Sequence, residues 1–259
     1  MIYTNKIQKA IKFAAKTHNQ YQQQTRKGKV IPYISHPLTV GIILSQAKTS
    51  EDVIAAGILH DTIEDSIKGK KVTPEMLSER FGEKIAQLVL SVTERNKDLP
   101  WEARKKQALE HIKHFSHESL LVKSADIISN ISEMLDDYAK HKDQVFKRFN
   151  APKVKWIENQ LKVINAVVSH WQDNPMADDL ILLADNLQMI NAVNFMSDYP
   201  AKIIEYKEYD EDMNLECPVC GWKGTPKDGG SVNTDSDFAL DVSCPICGKM
   251  LLVAGYPSA

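Results

Sequence analysis

Val53-Ile54-Ala55-Ala56-Gly57-Ile58-Leu59-His60-Asp61-Thr62-Ile63-Glu64-Asp65 starts as an apolar helix and ends in groups that can do chemistry. Val53, Ile54, Gly57 and Ile58 carry the three- and four-residue spacing of one helical face, so a helix is expected over roughly 50–65. Residues three and four apart on a helix are neighbours. His60 would then meet Glu64, and Asp61 would meet both Glu64 and Asp65. An adjacent His-Asp pair can hold one cation from two directions. A carboxylate pair one turn later can reach a water on that cation. A solvated acidic helix end is the plainer alternative. Against it, charges at the end of the run Ala55-Ala56-Gly57-Ile58-Leu59 are costly without a partner.

The surrounding chain is of ordinary globular composition. It has 259 residues, 43% hydrophobic and 25% charged, enough for one substantial core and a smaller unit. Its formal charge of -2 provides no global basic field for nucleic acid or an anionic membrane. The longest apolar runs, such as Leu180-Ile181-Leu182-Leu183-Ala184, are too short to span a bilayer. Lys6, Lys9, Lys12 and Lys16 interrupt any signal-peptide core. All four cysteines fall in two Cys-x-x-Cys pairs after residue 216, and the expected compartment is the cytoplasm.

Helical patterns fill the chain up to residue 200. Thr4 is a good N-cap for a helix faced by Ile7, Ala10, Ile11, Ala14 and Ala15. Pro37 suits the first turn of a helix reaching about Ala47. Thr73-Pro74-Glu75 is a helix start and Gly82 a stop. The Lys- and Arg-rich helix after Pro100 reads as a solvated face. Helices are also expected from Ser119 to Tyr138, Pro152 to Trp171 and Met176 to Ser197. With about nine helices and no convincing strand before residue 200, the expected fold is an all-α helical bundle over 1–198. A linker is expected over 199–213, and a small β module over 214–259, where Phe238, Leu240 and Val242 alternate.

The His60-Asp61 pair needs further ligands. His36, where a loop enters a helix, and Asp126, an acid in an apolar stretch, are the candidates. Taken singly, a histidine on a helix is more often structural than a ligand, and an aspartate more often a cap. Two imidazoles with two carboxylates suit Mn²⁺, Fe²⁺ or Zn²⁺ better than Ca²⁺.

The order His36 … His60-Asp61 … Asp126 resembles the metal-binding order of the HD phosphohydrolase superfamily. Arg26-Lys27, Pro32-Tyr33-Ile34-Ser35-His36-Pro37, Ala55 to Asp65, Phe81-Gly82, Val92-Thr93 and Val122-Lys123-Ser124-Ala125-Asp126 … Asn130 narrow the likeness. Together they resemble the hydrolase domain of the RelA/SpoT family, above all its small stand-alone hydrolases, over residues 1 to about 170. The resemblance implies an HD-domain bundle that removes the 3′-pyrophosphate from guanosine tetra- or pentaphosphate, an alarmone of the stringent response. The products would be GDP or GTP and pyrophosphate. It implies Mn²⁺ held by His36, His60, Asp61 and Asp126, with Glu64 and Asp65 activating water. It assigns Arg26 and Lys27 to the nucleotide and Asn130 to the ribose.

The chain departs from that pattern where substrate would lie. Trp101 stands where the stand-alone hydrolases carry a Lys, and Ser124 and Ile127-Ile128 replace the usual neighbours of the metal Asp. A downstream Arg and Tyr have no clear counterpart near Lys147-Arg148-Phe149-Asn150. Two alternatives therefore stand beside the guanosine substrate. One is hydrolysis of another phosphorylated nucleotide, such as an adenosine alarmone or NADPH. The other is a non-catalytic nucleotide sensor or scaffold.

Cys217-x2-Cys220-x23-Cys244-x2-Cys247 has the spacing of a structural Zn²⁺ site, two knuckles each aiming two thiolates at one ion. The module resembles a zinc ribbon or rubredoxin-like unit, too short for an ample core of its own. Two disulfides or a redox pair are the alternatives. A protein partner or a second copy of the chain is the expected user of this module.

Overall fold

The computed structural model describes residues 4–94, 98–196, 202–217, 221–228, 231–236, 239–245 and 250–255. It divides into two compact units, Met1–Asn186 and Leu187–Ala259. Among the described residues, nine α-helices precede the first strand: α1 Asn5–Ala15, α2 Ser35–Gln46, α3 Glu51–Leu59, α4 Pro74–Phe81, α5 Glu83–Val92, α6 Trp101–Ile112, α7 His117–His141, α8 Lys153–His170 and α9 Ala177–Met196. The expected all-α bundle is therefore what the chain forms. None of the described helices is long and apolar enough to cross a membrane.

Local chemistry sets the helix starts. The side chains of Thr4, Ser50, Thr73 and Ser116 accept hydrogen bonds from the backbone N–H groups of Ile7, Val53, Met76 and Ser119. Gly82, at φ 93°, separates α4 from α5 in a conformation that a side chain would strain. The helix expected over 50–65 ends early, at Leu59. Residues 60–65 form a turn in which Thr62 N–H donates to Leu59 O and Asp65 N–H to Asp61 O. The apolar pattern carries on through Ile63, which is why the sequence does not reveal this ending.

The bundle core joins α1 to α5 with α7 through Ala10, Val40, Leu44, Leu59, Val89 and Val122, all fully buried. Helices α2 and α3 pack side chain against backbone at two glycines. A Cβ on Gly57 would lie 2.3 Å from Leu44 Cδ1, and one on Gly41 would lie 2.7 Å from Ile58 Cγ1. This close approach sets the start of α2 against the end of α3.

In the second unit a four-stranded sheet has the order β1-β6-β5-β4, with β1 Lys202–Glu205, β4 Ser231–Ser236, β5 Ala239–Ser243 and β6 Met250–Gly255. β1 runs parallel to β6, while β5 is antiparallel to both its neighbours. A second ribbon pairs β2 Leu215–Glu216 with β3 Lys223–Gly224. The β module expected at the C-terminus is present. However, β1 falls inside the stretch read as a linker, because four residues carry no periodicity of their own and their partner lies about 50 residues downstream. Cys217 and Cys244 are buried in this unit's core with Val242 and Leu252. Cys220 and Cys247 lie outside the described residues.

Replacing Gly57 by valine is expected to lower stability by about 1–3 kcal/mol, since buried Leu44 has no room to yield. Urea denaturation reads this directly. Gly69→Ala, with nothing within 4 Å of the added methyl, leaves the midpoint unchanged.

Candidate metal centre

The turn after α3 and the start of α2 bring the two histidines together, with ring centroids 5.1 Å apart. Asp126, midway along α7, completes a set in which His36, His60 and Asp126 each offer a donor atom within 4.8 Å of the others. Asp126 Oδ1 lies 3.3 Å from His36 Nε2 and 3.7 Å from His60 Nε2. Asp61 Oδ2 lies 3.6 Å and 3.1 Å from the same two nitrogens. His36, His60 and Asp126 thus converge on one point, with Asp61 beside them through its approach to the two imidazoles.

The atoms behind them fix which nitrogens face that point. His60 Nδ1 lies 2.8 Å from Gly57 O, and a carbonyl only accepts, so Nδ1 carries the proton. Nε2 then faces that point, buried and without a hydrogen-bond partner among the described residues. His36 Nδ1 is held by Ser129 Oγ at 2.9 Å, and Tyr33 Oη donates to Asp61 Oδ2 at 2.6 Å. Such outer bonds orient ligands around metals. Two imidazole nitrogens, one of them orphaned, with two carboxylates fit a divalent transition ion.

The electrostatics of the cluster call for positive charge. Burial works to lower the His60 pKa, but Asp61 and Asp126 outweigh it and hold the imidazole well above its ordinary value. Burial likewise works to raise both carboxylates. His60 overcomes it for Asp61, and Lys123, whose Nζ lies 2.8 Å from Asp126 Oδ2, overcomes it for Asp126. Both acids end below the usual carboxylate range. A divalent ion meets the same field with two charges and competes with the proton.

These groups line one cavity of about 840 Å³. Glu64 and Asp65 line it too, on the turn rather than a helix face as expected. Glu64 Oε2 accepts from Glu94 N–H at 3.2 Å, and Asp65 Oδ2 from Gln24 Nε2 at 2.9 Å. Arg26 sits on a strap closed by a bridge between Thr25 and Pro32. Its Nη2 donates to Asn130 Oδ1 at 2.8 Å and its Nε to Glu133 Oε2 at 2.7 Å, while Asn130 Nδ2 donates to Asp126 Oδ1 at 2.6 Å. Arg26 and Asn130 are thereby tied to the metal centre.

Lys27 faces a different wall. Its Nζ lies 5.8 Å from the Phe149 ring, and burial together with Arg104, Arg148 and Lys105 pushes its pKa down. Sequence reasoning missed this basic wall. The α6 charges read as a solvated face turn inward in part: Arg104 and Lys105 both pair with Glu94, and line the cavity. Arg148, near which the sequence offered no counterpart to the family's Arg, also lines it and pairs with Asp137 at 2.6 Å. The Nε atoms of Arg104 and Arg148 are buried without hydrogen-bond partners among the described residues. Trp101 opens onto a smaller recess shared with Lys27, Phe149 and Trp156. Tyr33, within a motif quoted from the sequence, could have been found by its place three residues before His36.

Residues 10–154 match the family model of the HD domain. The guanosine-3′,5′-bis(diphosphate) 3′-pyrophosphohydrolase MESH1 of Danio rerio is 39% identical over 126 residues, 48% of this chain and 66% of the relative. Its Xenopus tropicalis counterpart is 31% identical over 170 residues, 63% of this chain and 91% of the relative. A solved structure of a metazoan SpoT orthologue that hydrolyses ppGpp superposes with a TM-score of 0.56. That match covers 72% of this chain and 96% of the other. At 24% identity it is a likeness of fold.

Glu133, with Asp137, carries the pH-sensitive part of the strap's anchorage. Burial raises its pKa, but Arg26 and Lys29 prevail and leave it below the usual value. A depressed folded pKa gives stability that is present above the unfolded value of about 4.3 and lost as pH falls below it. Chemical denaturation between pH 7 and pH 3 is expected to show that loss, with a smaller slope in Glu133→Gln.

Proposed function

Because the chain belongs to the HD domain family, we propose that it removes the 3′-pyrophosphate of guanosine tetra- or pentaphosphate, releasing pyrophosphate with GDP from the first and GTP from the second. The observation that carries this reading is the convergence of His36, His60, Asp61 and Asp126 in one cavity with two further acids and a basic wall. The four converging residues hold a divalent ion, and the donor set suits Mn²⁺. When bound, the ion lowers the pKa of a water and offsets charge at phosphorus.

The chain's own groups supply the rest. Glu64 and Asp65 orient the attacking water and take its proton. Asn130 meets the ribose, and Arg26 beside it forks onto phosphate or stacks on the base. Lys27, Arg104, Lys105 and Arg148 present several positive charges to a substrate phosphorylated at both ends.

Trp101 favours keeping a second reading, in which the same centre acts on an adenosine alarmone or NADPH. An aromatic ring in the recess beside Lys27 recognises a base or ribose differently from the lysine of the stand-alone hydrolases. For the C-terminal unit we infer a Zn²⁺ held by Cys217, Cys220, Cys244 and Cys247. The burial of Cys217 and Cys244, and the bond from Gly221 N–H to Cys217 O at 2.9 Å, support it. That unit is then a stable surface for a protein partner or a second copy of the chain, in the cytoplasm.

Incubation with Mn²⁺ and guanosine tetraphosphate is expected to release GDP and pyrophosphate, and Asp61→Ala to abolish the release. Turnover of an adenosine alarmone or NADPH alone, in a panel run beside it, supports the second reading instead. Arg104→Ala and Arg148→Ala are expected to raise KM by about ten- to a hundredfold each, the worth of a hydrogen bond to a charged group, with kcat close to the parent value. Metal analysis is expected to give one zinc per chain, lost in Cys217→Ser.

A further inference from the structure

Behind the metal centre lies a buried histidine that the proposed mechanism does not use. α1 ends at Ala15 and continues as a π-helical turn over Lys16–Tyr21, a distortion found frequently at functional sites. This turn holds His18 fully buried, its ring centroid 5.0 Å from that of Tyr33. His18 Nδ1 lies 3.0 Å from Gln24 Oε1, and Gln24 Nε2 lies 2.9 Å from Asp65 Oδ2. The glutamine is also pinned along its backbone. Its N–H donates to His18 O, and its carbonyl accepts from Tyr33 N–H, both at 2.9 Å.

The direction of every proton in this chain is fixed by one end. An ionised carboxylate only accepts, so Gln24 must turn its NH₂ toward Asp65. Its carbonyl oxygen then faces His18, and a carbonyl only accepts, so His18 Nδ1 must carry hydrogen. Burial favours the neutral ring. Nε2 is left as a buried lone pair with no partner among the described residues. A residue kept only for packing would avoid that cost with an apolar side chain.

We propose that His18 is a positioning residue that acts through Gln24 to hold the Asp65 carboxylate toward the water it activates. The inference rests on the role of Asp65 given above. The same imidazole backs Tyr33, whose hydroxyl holds Asp61, so one buried ring stands behind both a ligand and an acid.

The test compares His18→Phe, His18→Asn, Gln24→Leu and Asp65→Asn in the full chain loaded with Mn²⁺. The substrate is guanosine tetraphosphate, or whichever nucleotide of the panel is turned over. His18→Phe and Gln24→Leu are expected to lower kcat by about ten- to a hundredfold, with KM and bound Mn²⁺ unchanged. His18→Asn, which keeps a donor near the position of Nδ1, is expected to recover most of it. The His18→Phe/Gln24→Leu double variant is expected to be no slower than Gln24→Leu alone, because the phenylalanine ring keeps the packing against Tyr33 and only the path through Gln24 is lost. Full activity in Asp65→Asn overturns the role of Asp65 and the inference with it. Loss in Asp65→Asn with parent kcat in the other variants overturns the inference alone. Nitrogen NMR of the unmodified protein is a check independent of turnover: it should find the Nδ1–H tautomer at His18, and an Nε2–H tautomer overturns the proposal.

Discussion

The contact of α2 with α3 at Gly41 and Gly57 governs the rest of the site. Only hydrogen at these positions lets the two helices come close enough for Leu44 and Ile58 to fill the seam. His36 lies near the start of α2 and His60 just past the end of α3, so the closeness of the helices becomes the closeness of the imidazoles. Asp61 follows by covalent adjacency, and α7 brings Asp126 because it packs on the same pair of helices. A rigid seam is therefore the means by which His36, His60, Asp61 and Asp126, from three segments, are brought together.

The cavity is zoned by charge. Acids crowd the metal end, where Asp61 and Asp126 stay ionised only because His60 and Lys123 offset them. Cations crowd the other wall, where Lys27 is pushed down by burial and by its basic neighbours. Arg26 and Asn130 sit between the zones, Arg26 donating to Asn130 and Asn130 to Asp126. Such a division suits a ligand whose reacting phosphate meets the ion while its remaining phosphates meet arginine and lysine.

Much of this was legible in the sequence. The helices could be read because their apolar faces are long and capped, and the four candidate ligand positions, which line one cavity, because their motifs stand in a recognisable order. The end of α3 at Leu59 was not legible, since Ile63 prolongs the apolar pattern into what is a turn. Nor was the inward turn of Arg104 and Lys105, because a charge run on a helix looks the same whether it faces water or a cavity. Arg148 is delivered by a short 3-10 turn over Lys142–Arg148 whose placement depends on packing, and β1 by a partner far along the chain. His18 escaped notice because its contacts run through the backbone geometry of a π-helical turn, which has no periodic signature.

Both histidines and both aspartates are proposed to bind one ion. Pulsed electron paramagnetic resonance on the full chain loaded with one equivalent of Mn²⁺, with ¹⁵N-labelled histidine, addresses it most directly. The account predicts couplings from two bound imidazole nitrogens, one lost in His36→Ala and the other in His60→Ala. Couplings from no histidine, or from one that persists in both variants, would contradict it.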